Sequence, residues 1–132
     1  MALDSSLHTR VIDAVEGNLA DSHPILKGTR ELREAAVRQV NHACDAVREM
    51  IRESIKTSKA LLAQRSSLER QVLHGRLRPN DRFFQSVLES NAKLRGRATD
   101  DARAYITSVI EILCLDDALR QELIAALYAE NF

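Results

Sequence analysis

The longest uninterrupted pattern in the chain is a helical alternation of apolar and polar positions over residues 29–73, which contain no proline and no glycine. Positions at steps of three and four form a seam from Val37 and Val40 through to Val72, which is apolar at both ends and polar in the middle. Such spacing places side chains on one face of an α-helix and is typical of a helix that packs against another helix. We therefore predict one long helix over residues 29–73.

Three further stretches of the chain show helical periodicity. One is long and covers residues 81–114, and two are short and cover residues 5–20 and 117–129. Between the two long patterns lie Gly75 and Pro79, which are typical of a helix end and of a chain that cannot continue the helix. The sequence therefore predicts that the chain turns back on itself at this point.

We expect residues 1–132 to form a single all-α domain, a helical-bundle or coiled-coil domain. In this arrangement the two long helices form an antiparallel hairpin, and the two short helices fold back to complete a bundle at one end. Two helices alone bury little apolar surface. We therefore expect the hairpin to pack on a second copy of the chain or on another protein.

The buried face of the second long helix is predicted from a straight helical period of about 3.6 residues. That period places nine residues on one face: Phe84, Val87, Asn91, Leu94, Ala98, Ala102, Tyr105, Val109 and Leu113. We expect the neighbouring Phe83 to face inward as well. The composition fits a helical core, because only 4% of the residues are aromatic and glycine and proline together number six.

The net charge is zero, with 19 basic and 19 acidic side chains, which argues against a general polyanion binder. The charges are unevenly distributed along the chain, however. Residues 65–97 hold eight basic and three acidic side chains, whereas residues 98–132 hold two basic and seven acidic ones. The predicted hairpin tip is therefore basic, and the C-terminal part of the chain is acidic.

The basic hairpin tip is the leading candidate binding site, and its candidate residues are Arg70, Arg76, Arg78 and Arg82. Arginine suits planar, two-pronged contacts with phosphate groups or carboxylates. The tip would then bind phosphate groups or an acidic protein face. The alternative is a solvated surface whose charge is balanced by the acidic C-terminal part of a neighbouring copy.

The C-terminal helix is the second candidate, and it has two interpretations. It closes the core, or it presents an apolar stripe to a partner helix through Leu123, Leu127, Tyr128 and Phe132. Core closure is the more common outcome for such a helix.

No pattern typical of a metal site or of a catalytic site occurs in the chain. The four histidines are scattered, and no Glu-x-x-His pair of the kind used by di-iron bundles is present. We expect Cys44 and Cys114 to be buried thiols that act as small apolar residues. The sequence therefore predicts no cofactor, no bound metal and no enzymatic activity.

These patterns favour a non-enzymatic helical interaction protein: an assembly subunit, adaptor or chaperone-like factor of a larger complex. Its expected partner is another protein or a second copy of the chain in a homo-oligomer. The alternative is a nucleic-acid-associated regulator that uses Arg76, Arg78 and Arg82 at the hairpin tip, and a helical enzyme or metal bundle ranks third. The chain shows neither a signal peptide nor a membrane-spanning run, so we expect a cytoplasmic protein with no membrane partner.

Overall fold

A computed structural model describes residues 3–76, 78 and 80–130 of the chain, and these residues form α-helices and no strand. The predicted all-α fold is therefore confirmed, and the helix bounds lie within three residues of the predicted ones. The four α-helices are α1 (Ser5–Ser22), α2 (Arg30–Leu73), α3 (Arg82–Glu111) and α4 (Asp117–Ala129). A short 3₁₀ turn, Pro24–Leu26, connects α1 to α2.

Polar side chains cap the start of each helix, and this explains why the bounds could be predicted. Asp4, Asp81 and Asp116 accept hydrogen bonds from backbone N–H groups in the first turns of α1, α3 and α4. At the start of α2, the hydroxyl of Thr29 accepts a hydrogen bond from the backbone N–H of Leu32. Each cap satisfies a donor that the helix itself leaves unpaired.

The chain divides into two compact units. We call residues 1–51 together with 105–132 the bundle unit, and residues 52–104 the hairpin unit. Helices α2 and α3 each contribute one part to either unit, whereas α1 and α4 belong to the bundle unit alone.

The bundle unit has a well-developed apolar core. Of the twenty buried side chains among the described residues, seventeen lie in this unit. Leu123 and Leu127 on α4 are fully buried in that core. The structure thus supports the core-closure interpretation of α4, because these two side chains are not available as an exposed stripe.

Polar contacts tie the helices of the bundle unit together at its surface. Arg33 on α2 bonds to Asp13 and Glu16 on α1. Arg48 on α2 forms a two-pronged ion pair with Glu130, just beyond α4, at 2.8 and 3.1 Å. These contacts help to orient the helices relative to one another, whereas burial of apolar side chains stabilises the core.

The hairpin unit is built from the second part of α2 and the first part of α3, with the chain reversing direction between them. Its fully buried described residues are Phe84, Asn91 and Ala102. Asn91 is 2% exposed, and its amide donates hydrogen bonds to the backbone carbonyl of Leu61 and to the side chain of Gln64. The most deeply buried contact of this unit is therefore polar.

The predicted buried face of the second long helix is correct for four residues that are buried: Phe84, Asn91, Ala102 and Leu113. Val87, Ala98 and Val109 are partly buried. The prediction is wrong for Leu94 and Tyr105, which are about half exposed. In the hairpin unit the inward positions of α3 instead alternate steps of four and three, through residues 84, 88, 91, 95, 98 and 102. This spacing is that of a helix that winds around a partner helix. A straight period of about 3.6 residues gradually departs from these inward positions. Leu94 and Tyr105, which lie beside the buried face, were therefore predicted to be buried.

Candidate functional site

The hairpin unit exposes large apolar side chains close to the connection between its two helices. Leu73, the last residue of α2, is 82% exposed, and Phe83, in the first turn of α3, is 69% exposed. Farther along the hairpin unit, Leu62 and Leu94 are about half exposed. Single exposed apolar residues are common on protein surfaces, but four of them beside so small a core indicate a surface suited to contact with a partner.

Local structure at both ends of the connection holds Leu73 and Phe83 in place. Gly75 adopts the left-handed conformation (φ +73°), which favours glycine and ends α2. The carboxylate of Asp81 accepts hydrogen bonds from the backbone N–H groups of Phe83 and Phe84 at 2.8 and 3.3 Å. With the first turn of α3 fixed, Phe84 is buried and Phe83 is exposed, and the expectation that Phe83 faces inward is wrong.

Four arginines surround these two side chains in the sequence, and all four were predicted as candidate binding residues. They are exposed, and none forms an ion pair with another described residue: Arg70, Arg76, Arg78 and Arg82. We call these four arginines together with Leu73 and Phe83 the tip patch. It combines two exposed apolar side chains with four exposed guanidinium groups, a composition suited to a partner that is both apolar and negatively charged.

The two compact units carry opposite charge. The hairpin unit holds twelve basic and six acidic side chains, and the bundle unit holds seven basic and thirteen acidic ones. The formal charges are therefore +6 and −6, which cancel in the chain as a whole. The sequence analysis found this polarity along the chain, and the structure assigns it to two separately packed units.

A second exposed patch lies in the bundle unit at the connection between α3 and α4. Ile112 is 74% exposed, and the neighbouring Glu111, Asp116 and Asp117 are exposed as well. We call these four residues the corner patch. The corner patch was not predicted from the sequence. The pattern that could have indicated it is an isoleucine, Ile112, among acidic residues shortly before the helix cap Asp116.

The same connection contains an unusual backbone conformation. Cys114 has a φ of +53°, in the left-handed region, and its thiol is exposed, so the expectation of a buried thiol is wrong at this position. The side-chain amide of Asn18 on α1 donates hydrogen bonds to the carbonyls of Leu113 and Cys114, both at 3.2 Å. Asn18 thereby holds the connection in its turn against α1.

The other cysteine behaves as expected. Cys44 on α2 is buried in the core of the bundle unit, and burial raises the pKa of its thiol. It therefore acts as a small apolar residue. Within residues 3–76, 78 and 80–130, no three His, Cys, Asp or Glu side chains come together as metal ligands.

The remaining candidate on α4 is Tyr128, which is partly exposed, while Phe132 lies outside the described residues. No helix in the described part of the chain combines the length and the apolar character needed to span a membrane.

A shallow groove runs along the outer side of α3 in the hairpin unit, beside Gly96. The residues that line it all come from this one helix: Ser90, Lys93, Leu94, Gly96, Arg97, Asp100 and Asp101. Groups on a single helix surface do not converge on a common point, so the groove offers a contact surface and no enclosed binding cavity.

The chain matches no protein-family model, no curated protein and no solved structure.

Proposed function

We propose that this chain is a non-enzymatic helical interaction protein: an assembly subunit, adaptor or chaperone-like factor that binds another protein chain through its hairpin unit. The observation that carries the proposal is the contrast between the small core of the hairpin unit and the apolar side chains it exposes at the tip patch. Leu73 and Phe83 are more than two-thirds exposed, whereas the unit buries three of its described residues fully.

Two helices can bury only a small apolar surface between them. A hairpin with few buried side chains therefore gains little free energy from its own contacts, and such hairpins are usually stabilised by packing against another surface. Aromatic and arginine side chains are the types most enriched at the centres of protein interfaces. The tip patch places Phe83 beside Arg82 on the first turn of α3.

The experiment is site-specific photo-crosslinking with the full chain in the cells that express it. A photoreactive phenylalanine analogue replaces Phe83 in one version and Ala92, an exposed residue on the opposite side of the same helix, in the control. We expect discrete crosslinked protein products from position 83 and much weaker ones from position 92. Absence of products from position 83, or equal products from both positions, would contradict the proposal.

A nucleic-acid-associated regulator is the second candidate, and one observation favours it. Stacking on bases requires exposed aromatic rings, and Phe83 is exposed next to Arg82 in a unit of formal charge +6. If this candidate is correct, the protein binds a fluorescent single-stranded oligonucleotide at about 0.15 M salt. The double variant Arg76→Glu, Arg78→Glu would then lose that binding. Failure of the wild type to bind would remove this candidate.

A further inference from the structure

We propose that the partner of the hairpin unit is a second copy of this chain, with the tip patch of one copy bound to the corner patch of the other. The inference rests on the proposed function, because it names the occupant of the hairpin surface. Two observations carry it: the residues that make up the two patches and the charges of the two units.

Both patches combine exposed apolar side chains with exposed charged ones, and their charges are opposite. The tip patch contains Leu73 and Phe83 together with four arginines that are close to them in the sequence. The corner patch contains Ile112 together with three acidic residues that are close to it in the sequence: Glu111, Asp116 and Asp117. Apolar groups combined with complementary charges are typical of protein interfaces.

The balance of charge favours self-association over a polyanionic partner. The excess of six positive charges in the hairpin unit is matched by six negative charges in the bundle unit of the same chain. A second copy supplies, through its own bundle unit, the negative charge that the hairpin unit attracts.

The balance of charge also selects which surfaces meet. Contact between two hairpin units would bring two charges of +6 together, and this is unfavourable. Contact between tip and corner patches brings opposite charges together.

The contact also gives partners to charged side chains that have no ion pair with any described residue of their own chain. Arg70 and Arg82 form no ion pair with another described residue. On the corner patch, Glu111 likewise forms none, whereas Asp117 bonds to Arg120 at 2.6 Å. Because these groups are exposed, their attraction is screened by salt, and we expect a weak dimer whose dissociation constant is sensitive to ionic strength.

The test is sedimentation equilibrium of the full chain across a range of salt concentrations, with a pair of charge-reversed variants. One variant replaces the four tip arginines by glutamate, and the other carries Glu111→Arg and Asp117→Arg. Asp116 stays unchanged because it caps α4. We expect the wild type to dimerise, with a Kd that rises about tenfold or more between low and high salt.

The decisive arm of the test uses the two variants together. Each variant alone brings like charges together where a tip patch meets a corner patch and is expected to be monomeric. An equimolar mixture pairs a reversed tip with a reversed corner and a native tip with a native corner, so a heterodimer is expected. Circular dichroism melting of each variant establishes that it is folded.

A second measurement does not depend on those variants. The exposed thiol of Cys114 lies within the connection that carries the corner patch, so it can be labelled with a photo-crosslinking maleimide in the wild-type protein. In a mixture of isotopically light and heavy chains, we expect crosslinks from Cys114 to residues 70–83 of a different chain. Crosslinks confined to other regions would overturn the proposal.

Three further outcomes would also overturn it. They are a wild type that stays monomeric at low salt, a dimer whose Kd is unchanged by salt or by tip reversal, and oligonucleotide binding without self-association. In the first case the proposed function would still stand if position 83 crosslinks to another protein in cells. Failure of both experiments would reject both.

Discussion

Asn91 on α3 donates its side-chain amide to the backbone carbonyl of Leu61 on α2 at 2.9 Å, and this hydrogen bond lies at the most deeply buried position of the hairpin unit. The amide also donates a hydrogen bond to the side chain of Gln64 at 3.0 Å, whereas the Asn91 carbonyl oxygen has no hydrogen-bond partner among the described residues. A buried polar residue between two helices fixes their register at a cost in stability. Asn91 therefore sets how α2 and α3 align in the hairpin unit.

Replacing Asn91 tests that cost. Asn91→Leu removes the unpaired oxygen and fills a similar volume with apolar atoms, so we expect the free energy of unfolding to rise by about 1 kcal/mol. Asn91→Asp has nearly the same shape but buries a charge beside the Leu61 carbonyl, and we expect a loss of about 2 kcal/mol or more. Urea denaturation of the two variants measures both changes. A loss of stability in Asn91→Leu would contradict the assigned role.

Phe83 and Phe84 provide a matched pair, because the two rings are adjacent and only one is buried. We expect Phe84→Ala to lower the free energy of unfolding by about 3 kcal/mol. Phe83→Ala should change the stability of the monomer by no more than about 0.5 kcal/mol, because its ring already contacts water. Thermal or urea unfolding distinguishes the two variants, and equal losses would show that the rings share one environment.

The ion pair between Arg48 and Glu130 makes stability depend on pH. The side chains are 25% and 12% exposed, and the hydrogen bond from Arg48 lowers the pKa of Glu130 below its ordinary value of 4.5. A lowered pKa in the folded state means that the pair stabilises the fold above about pH 4.5. That stabilisation is lost as the pH falls through the lowered pKa of Glu130.

We therefore expect Glu130→Gln to cost about 1–2 kcal/mol at neutral pH. The difference between variant and wild type should shrink as the pH falls below the ordinary value. Glu122→Gln is the control, because Glu122 forms an exposed pair with Arg10 and its loss should matter less. Denaturation curves at several pH values provide the measurement, and a pH-independent difference would argue against the ion pair as the cause.

Cys114 occupies a backbone conformation that favours glycine. We expect Cys114→Gly to raise the free energy of unfolding by about 1 kcal/mol, and Cys114→Val to lower it by a similar or larger amount. Both variants leave the hydrogen bonds from Asn18 available, since these reach backbone carbonyls. If the two variants melted at the same temperature, the left-handed conformation would have no role in stability.

The two thiols should also differ in reactivity. Cys114 is exposed, whereas Cys44 is buried and has a raised pKa. We expect one thiol per chain to react rapidly with a chromogenic disulfide reagent under native conditions, and the second only when the bundle unit opens. The variant Cys114→Gly should abolish the rapid phase. Two equally rapid thiols would contradict the burial of Cys44.

The helix bounds could be predicted well because residues at or next to each helix end determine where the helix begins or ends. Asp4, Thr29, Asp81 and Asp116 have cap side chains, and Gly75 permits the left-handed turn after α2. These signals act within a few residues and require no knowledge of the rest of the fold.

Surface assignments were harder because they depend on tertiary contacts. Phe83 and Phe84 differ by one residue, a rotation of about 100° around the helix, and periodicity alone did not decide which ring is buried. Leu94 and Tyr105 were assigned to the interface because a straight helical period was extended along the whole of α3. The corner patch depends on the exposure of Ile112, which apolar character by itself does not reveal.

Helix α2 belongs to two units whose cores differ in size, so we expect its two parts to open with different free energies. The part of α2 in the bundle unit, residues 30–51, contains seven buried side chains, whereas the described residues of its continuation from 52 to 73 contain none. Backbone amides exchange their hydrogens with solvent through local openings, whose free energy follows the packing around them. Deuterium uptake should therefore be slow over the first part of α2 and much faster over the second, within a single unbroken run of helical hydrogen bonds.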